Sequence, residues 1–334
     1  MPFRSRLSAF RDPLKGIAIL WVCFFHARLG LEQLPVIGPL QQTGYLGVDL
    51  FMLLSGMGLY HSLVKAPSPA GYLKRRAARL LPAFLPVCIL WCILMIPALG
   101  LTGKAAIHTA LGNLTMLGYL TGAPCMLNWY LTLLLVTILL AIPLHRVLSR
   151  ARRPCIAWGL MILAAGLCGL IFIGRDQMML VSRLPIFVLG MGLCAVKPSK
   201  ERKGLTALLL WLGFLAGCGL LWLGFVRWPH WQIRYGLYWY PALLMIPGLC
   251  TGLCWLMDKL SGAGLRCRAL DALGKASFEI FLFNGWFELY TKQVLRADRP
   301  AVYLFWMLLS IALGLLWHWL VGMAAHRFHK KDDR

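Results

Sequence analysis

Long apolar runs alternate with short basic loops along this chain, and that alternation restricts what it can fold into more than any single residue does. Runs of about 20 apolar residues match the reach of a helix across a bilayer. Ten are expected, at 13–32, 44–63, 80–101, 127–146, 155–174, 178–196, 204–226, 236–257, 277–295 and 301–325. The weaker stretch 105–121 reads as a half-buried or interfacial helix. With 60% hydrophobic residues, 14% charged residues and a mean hydropathy of +0.71, little polar sequence remains for a separate soluble domain. The expected fold is all-α: one polytopic membrane helical bundle over 1–334, with short tails at 1–12 and 326–334.

The net charge of +22 would suit a nucleic-acid partner if it were spread evenly or gathered in one patch. Instead it clusters in alternate loops. Arg4, Arg6 and Arg11 precede the first span, and Lys65, Lys74, Arg75, Arg76 and Arg79 follow the second. Arg146, Arg150, Arg152 and Arg153 follow the fourth, and Lys197, Lys200, Arg202 and Lys203 the sixth. Lys259, Arg266, Arg268 and Lys275 follow the eighth, and Arg327, Lys330, Lys331 and Arg334 the last. Basic loops face the cytoplasm, so both termini are expected there, and the charge reports topology rather than nucleic acid. No cleavable signal peptide is expected, because the first apolar run contains His26 and no small-residue cleavage site follows. Of the eleven cysteines, most fall within spans and only Cys125 in an expected external loop. They read as small packing residues rather than a disulfide framework. Cys250 and Cys254 lie one turn apart but lack a His or acidic neighbour, so no metal is expected there.

Ionisable residues inside a span are costly and point to function. Lys15 and His26 share the first apolar run, eleven positions apart. At ~100° and ~1.5 Å per residue they project from nearly the same face, about 16 Å apart in depth. A cation at the mouth and an imidazole within suit an anionic ligand that reaches inward to a base. On the second span, Asp49 falls at a depth similar to that of His26. A contact could fix the imidazole tautomer, as in catalytic dyads; alternatively, backbone or water satisfies each residue separately. Ser55-Gly56 follows, and with Gly44, Gly47 and Gly58 it suits close helix packing. Arg76 and Arg79 lie one turn apart before the third span. They read either as a clamp for phosphates or carboxylates or as anchors to lipid headgroups.

At these residues the chain resembles the acyltransferase 3 family of integral membrane O-acyltransferases. The matching features are Lys15, ten residues and His26; Gly47-Val48-Asp49-Leu50-Phe51 with Ser55-Gly56; and Arg75, Arg76 and Arg79 with Leu80 and Pro82. Weaker matches are Trp129-Tyr130-Leu131, Arg183-Leu184-Pro185 with Phe187 and Gly190, and Gly274, Ser277, Phe278, Glu279 and Leu282. The resemblance implies transfer of an acyl group, often acetyl from acetyl-CoA, to a hydroxyl of a surface sugar, glycolipid or polysaccharide. It implies that His26 is the base or transient acyl carrier; Asp49 is the candidate to polarise it. Lys15, Arg75, Arg76 and Arg79 would hold the acyl-CoA phosphates, with no metal required. The family's late motif usually closes with a His where this chain has Asn284, and Asn128 stands where related members carry a His. A fused hydrolase-like domain is not expected.

The other candidates have plainer readings beside the sharp ones. Arg183 either pairs with Asp176 or a backbone carbonyl, or orients an acceptor or acyl oxygen. Ser55, Arg183, Trp129 and Glu279 are the expected substrate contacts. Glu279 and Glu288 lie nine residues apart on nearly one helix face, and either could partner a cation. His318 reads as a hydrogen-bonded packing residue. The loop RWPHWQIR, Arg227 to Arg234, could stack on sugars or anchor at the membrane interface. Membrane lipids and a surface carbohydrate or glycolipid are the expected partners, and a bacterial plasma membrane the expected location. A transporter of a lipid-linked saccharide or anion is the alternative, as is a catalytically weakened scaffold or sensor.

Overall fold

A computed structural model of the chain describes residues 3–124, 128–196, 203–236, 238–264, 267–296 and 299–332. The expected external Cys125 and the loop cations Lys197, Lys200, Arg202, Arg266 and Arg334 lie outside the described residues. So do the side chains of Asn128, Lys203, Arg234, Arg327, Lys330 and Lys331. Among the described residues there are helices and no strands. The helices run α1 Phe3–Ala9, α2 Arg11–His26, α3 Ile37–Gln42, α4 Leu46–Val64, α5 Pro69–Ala98, α6 Gly103–Leu114, α7 Gly118–Thr121, α8 Asn128–Arg150 and α9 Pro154–Ile171. They continue with α10 Met178–Val181, α11 Leu184–Ala195, α12 Lys203–Trp222, α13 Pro229–Arg234, α14 Ala242–Gly262, α15 Arg268–Lys275, α16 Ser277–Tyr290 and α17 Pro300–Asp332. Short π-helical turns extend α12 over Leu223–Arg227 and α16 over Thr291–Leu295.

Eight helical stretches among the described residues are long and apolar enough to cross a membrane, each coinciding with an expected span. The first and ninth expected spans differ. α2 has 16 residues and ends at His26, about 24 Å at ~1.5 Å per residue, short of a ~30 Å hydrocarbon core. α16 has 14 residues before its π-helical turn. His26 is therefore the last residue of its helix and not a residue two turns inside a span reaching 32. The third expected span begins a decade earlier than its apolar run, because α5 starts at Pro69 and carries Arg75, Arg76 and Arg79 as helical residues. Around 105–121 the backbone divides into α6 and α7, with Met116 in the left-handed region at φ 60° between them.

The chain forms two compact units, each assembled from three stretches that alternate along the sequence. Unit 1 comprises Met1–Leu14, Leu46–Tyr72 and Leu133–Cys267. Its centre is α4 against α11. A side chain added at Gly56 would run into the Phe187 carbonyl oxygen, and one at Gly190 into that of Leu53. Glycines are needed there because backbone meets backbone, the usual way helices associate without a hydrophobic drive between them. α9 joins this pair where the Trp158 indole lies over Gly192 and its Nε1–H donates to the Val188 carbonyl at 3.2 Å. Gly217 and Gly248 bring α12 and α14 together in the same way.

Unit 2 comprises Lys15–Tyr45, Leu73–Thr132 and Arg268–Arg334. α16 and α17 approach at Gly314, where an added side chain would meet the Ile280 backbone. α17 is tied to α5 by the Trp317 Nε1–H, which donates to the Ala83 carbonyl at 2.9 Å. The Tyr130 and Phe281 rings pack α8's first turn against α16, tilted by 44° with centroids 4.2 Å apart.

The end of α2 is built by α3. The last carbonyls of a helix have no partner within it, and here the Gln41 side-chain amide donates to two such groups, Phe24 O at 3.1 Å and Ala27 O. The Trp21 Nε1–H donates back to Leu40 O at 2.7 Å, and Gly44 lies against the Trp21 carbonyl. Gln41 is only 4% exposed. Its buried amide holds α2's C-terminal turn, and with it His26, in a fixed place.

Candidate active site

His26 meets α16 through two residues one helical turn apart. Its Nδ1 lies 2.5 Å from Asn284 Oδ1, and its Nε2 lies 3.3 Å from Glu288 Oε2. The i, i+4 spacing of Asn284 and Glu288 puts both on one face of α16, so a single face grips the imidazole from either side. Glu288 also accepts from Lys292 Nζ, one turn further on. Asn284 is buried, whereas His26 and Glu288 keep 20% and 22% of their side chains exposed.

These residues line a small pocket with Ala27, Phe287, Thr291, Tyr303, Trp306 and Met307. Its free volume of about 10 Å³ holds roughly one water. The Trp306 indole stacks near Phe287 at 4.6 Å, and its Nε1–H is buried with no acceptor among the described residues. A buried N–H without an acceptor costs about 1–3 kcal/mol. Any ligand that brings an oxygen within its reach would recover that cost.

The contacts of His26 define its chemistry. Asn284 Oδ1 stands where it can accept from Nδ1–H, and in that tautomer Nε2 carries the ring's lone pair. An amide carries both an acceptor and a donor, so a half-turn of the Asn284 amide can follow the imidazole from one tautomer to the other. The Glu288 carboxylate stands where it stabilises the positive charge of a protonated ring. The group is a histidine with an orienting amide, a charge-compensating carboxylate and a small partly open pocket, the components of a general base or a nucleophile.

The remaining expected site residues divide between the two units. In unit 1, Asp49 and Arg183 come together. Arg183 Nε lies 3.8 Å from Asp49 Oδ1, and each side chain is only 1% exposed. Arg183 Nη1 also donates to Met179 O at 3.1 Å and Ser182 Oγ at 3.3 Å, while its guanidinium lies 5.3 Å from the Trp239 ring. Ser55 is half-buried beside Gly56 on α4. In unit 2, Lys15 lies on the same helix as His26, and Arg75, Arg76 and Arg79 lie on the first part of α5. Trp129 is half-buried at the start of α8, edge-on to Tyr130. Glu279 is paired with His318, whose Nδ1 lies 3.0 Å from Glu279 Oε1. Asp49 and His26, expected as a possible dyad, each have partners within their own unit: Arg183 for Asp49, Asn284 and Glu288 for His26.

Sequence reasoning missed Gln41, Trp306 and the pairing of Asp49 with Arg183, and it treated Asn284 only as a departure from a motif. Two signals pointed toward the site. Asn284 is the residue at which the sequence departs from the pattern that the resemblance implies. Glu288 lies one turn further along the same face.

Among the described residues, no three or more His, Cys, Asp or Glu side chains cluster as a metal site. No curated protein and no solved structure matches the chain. The Acyl_transf_3 family model, described as an acyltransferase domain, matches residues 10–324, which takes in α2 with His26, α16 with Asn284 and Glu288, and every membrane-length helix. A multi-pass helical membrane protein matched over nearly its whole length by that model belongs to the acyltransferase 3 family.

Proposed function

We propose that this membrane acyltransferase moves an acyl group, acetyl foremost, from cytoplasmic acyl-CoA to a hydroxyl of a surface carbohydrate or lipid-linked glycan in a bacterial plasma membrane. The observation that carries the proposal is the grip on His26, with Asn284 on Nδ1 and Glu288 beside Nε2. In the direct route, Nε2 takes the proton of the acceptor hydroxyl while its oxygen attacks the thioester carbonyl. The C–S bond breaks, and the departing thiolate receives the proton from the imidazolium. In the covalent route, Nε2 itself attacks the thioester and CoA leaves as the thiolate. The acceptor hydroxyl then attacks the acyl-imidazolium, the bond from Nε2 to the acyl carbon breaks to restore the neutral ring, and the hydroxyl's proton ends on the CoA thiolate. Glu288 offsets the positive charge that either route places on the ring. The Trp306 Nε1–H is a donor available to an oxygen that gains charge in the pocket. A pocket with room for one water admits a hydroxyl and an acyl carbonyl only when neighbouring side chains such as Phe287 and Met307 move aside.

Lys15, Arg75, Arg76 and Arg79 are proposed to attract the donor's phosphates. Ser55, Arg183, Trp129 and Glu279 keep the wider proposal of acceptor contacts, although the burial of Arg183 beside Asp49 favours a structural part for that residue.

The test uses purified wild type and His26→Ala in nanodiscs with radiolabelled acetyl-CoA and a crude surface-glycan extract. Wild type is expected to release CoA and label the glycan, and His26→Ala to lose about 10²–10⁴-fold, the range for a general base. Equal transfer by both proteins would remove His26 from the reaction.

A further inference from the structure

Around the pocket at His26, three chain ends of unit 2 carry cations. Arg28 follows α2. α16 runs on into the π-helical turn Thr291–Leu295, which holds Lys292 and is followed by Arg296. Arg299 immediately precedes α17, and its carbonyl accepts from the Tyr303 N–H at 3.3 Å. Thr291 and Tyr303 both line the pocket, so the segments bearing Lys292 and Arg299 lead directly out of it. The segment after α2 closes on the start of α17, because a side chain added at Gly30 would lie 3.9 Å from the Pro300 ring.

Backbone and charge both set this rim apart from an ordinary loop end. π-Helical turns recur at functional sites, and this one follows Glu288 directly along the chain. Arg296 lies in the left-handed region at φ 47°, which is uncommon for a residue with a side chain. The charge runs against the topology. The His26 end of α2 lies opposite the basic loops and hence on the outer side, where Lys and Arg are disfavoured. Arg28, Lys292, Arg296 and Arg299 are nevertheless there, and all four are exposed. The acids of the same segments are Glu32, Glu288 and Asp298, the last outside the described residues. Glu288 is taken up by His26 and Lys292. Among the described residues, Arg28, Arg296 and Arg299 enter no ion pair.

We propose that Arg28 and Arg299 bind an anionic group, a carboxylate or a phosphate, on the acceptor whose hydroxyl enters the pocket, an assignment that rests on acyl transfer at His26. The pocket holds roughly one water, so it reads a hydroxyl and little else of the acceptor. Selection among hydroxyl-bearing molecules then falls to the rim. The planar guanidinium fork matches carboxylate and phosphate oxygens with two parallel hydrogen bonds. Exposed cations also draw a charged molecule in from a distance, an attraction that salt weakens. An acidic sugar supplies a carboxylate, and a phosphate-linked glycan supplies a phosphate.

The experiment measures retention of a fluorescently labelled surface-glycan extract by full-length protein in phosphatidylcholine nanodiscs. The extract is used as isolated, with its carboxyl groups reduced to alcohols, and with its phosphate esters removed by hydrofluoric acid. The protein is wild type, Arg28→Gln/Arg299→Gln, or Arg28→Lys/Arg299→Lys, which keeps the charge. Wild type is expected to lose at least about tenfold in affinity when the anion is removed, as for one charge-assisted hydrogen bond. Loss on carboxyl reduction identifies an acidic sugar, and loss on phosphate removal a phosphate-bearing one. The glutamine variant is expected to bind the untreated extract more weakly by a similar factor, and the lysine variant to keep most of the retention. Equal retention of all three extracts by wild type, including none at all, would overturn the proposal. So would equal retention of the untreated extract by wild type and the glutamine variant. CoA release in the same nanodiscs tests the reaction separately. Charge-dependent retention without acyl transfer would leave the rim standing and remove the reaction. Transfer with charge-blind retention would keep His26 in its role and remove the rim.

Discussion

Two charged pairs inside this protein show opposite treatment of the same problem. In unit 1, Asp49 and Arg183 are each 1% exposed, and the guanidinium is enclosed by backbone, a serine hydroxyl and an indole. In unit 2, His26 and Glu288 keep about a fifth of their side chains exposed beside a pocket. The sealed pair is closed to solvent, with acid and base facing each other inside unit 1. The open pair joins an ionisable ring to a carboxylate at the capped end of a short helix, beside a pocket that a third molecule can reach. Burial, more than the presence of charge, separates the group that holds the fold from the group suited to chemistry.

The largest expected effect comes from breaking the sealed pair. Removing one partner of a buried ion pair leaves the other uncompensated and costs about 3–5 kcal/mol. Asp49→Ala is therefore expected to lower thermal stability in detergent strongly. The double variant Asp49→Leu/Arg183→Met is expected to recover much of the loss, because no charge is stranded. A thermal-shift series on the single and double variants measures the coupling. Additive losses would show that Asp49 and Arg183 act independently, and the contrast between the two sites would fall.

Breaking the open pair is expected to act on rate rather than on stability. Glu288→Gln keeps the shape and a hydrogen bond but removes the charge beside His26 Nε2. A loss of about 10–100-fold in kcat/KM is expected, about 1.4–2.8 kcal/mol of transition-state stabilisation, with a small change in melting temperature. A large stability loss with unchanged kcat/KM would make this pair structural as well.

The difference between the two pairs is only partly legible in the sequence. Hydropathy located the eight membrane-length helices because a bilayer span needs a long apolar run and little else. Lys15 and His26 stood out because charge inside such a run is costly. The close-packed glycines were readable as well: Gly56 meets α11 and Gly44 meets α2, as their size suggested. What could not be read was the choice of partner. Asp49 could have met His26 on grounds of depth alone, and it meets Arg183, 134 positions away. His26 takes its partners 258 and 262 positions away on α16. Depth along a helix follows from counting residues, but the rotation of one helix against another depends on all their contacts. The end of α2 was hidden for a related reason. The apolar run continues past His26, and the helix stops where Gln41 supplies donors for its carbonyls.

That helix end gives the smallest and most local test. Gln41→Leu keeps approximate volume and apolar packing while removing both hydrogen bonds to the Phe24 and Ala27 carbonyls. Each such bond contributes about 0.5–1.5 kcal/mol net, so global stability is expected to fall by about 1–3 kcal/mol, less than for Asp49→Ala. The site should feel the loss more than this figure suggests, because an imidazole must sit within hydrogen-bond reach of its substrate proton, and small misplacements cost rate. Acyl transfer is expected to fall about tenfold with donor affinity unchanged, since Gln41 hydrogen-bonds to the last turn of α2 and the proposed phosphate-holding Arg75, Arg76 and Arg79 lie on α5. Equal losses in rate and affinity would mean that α3 supports the whole of unit 2. Wild-type rate with lowered stability would mean that Asn284 and Glu288 hold His26 without help from its own helix end.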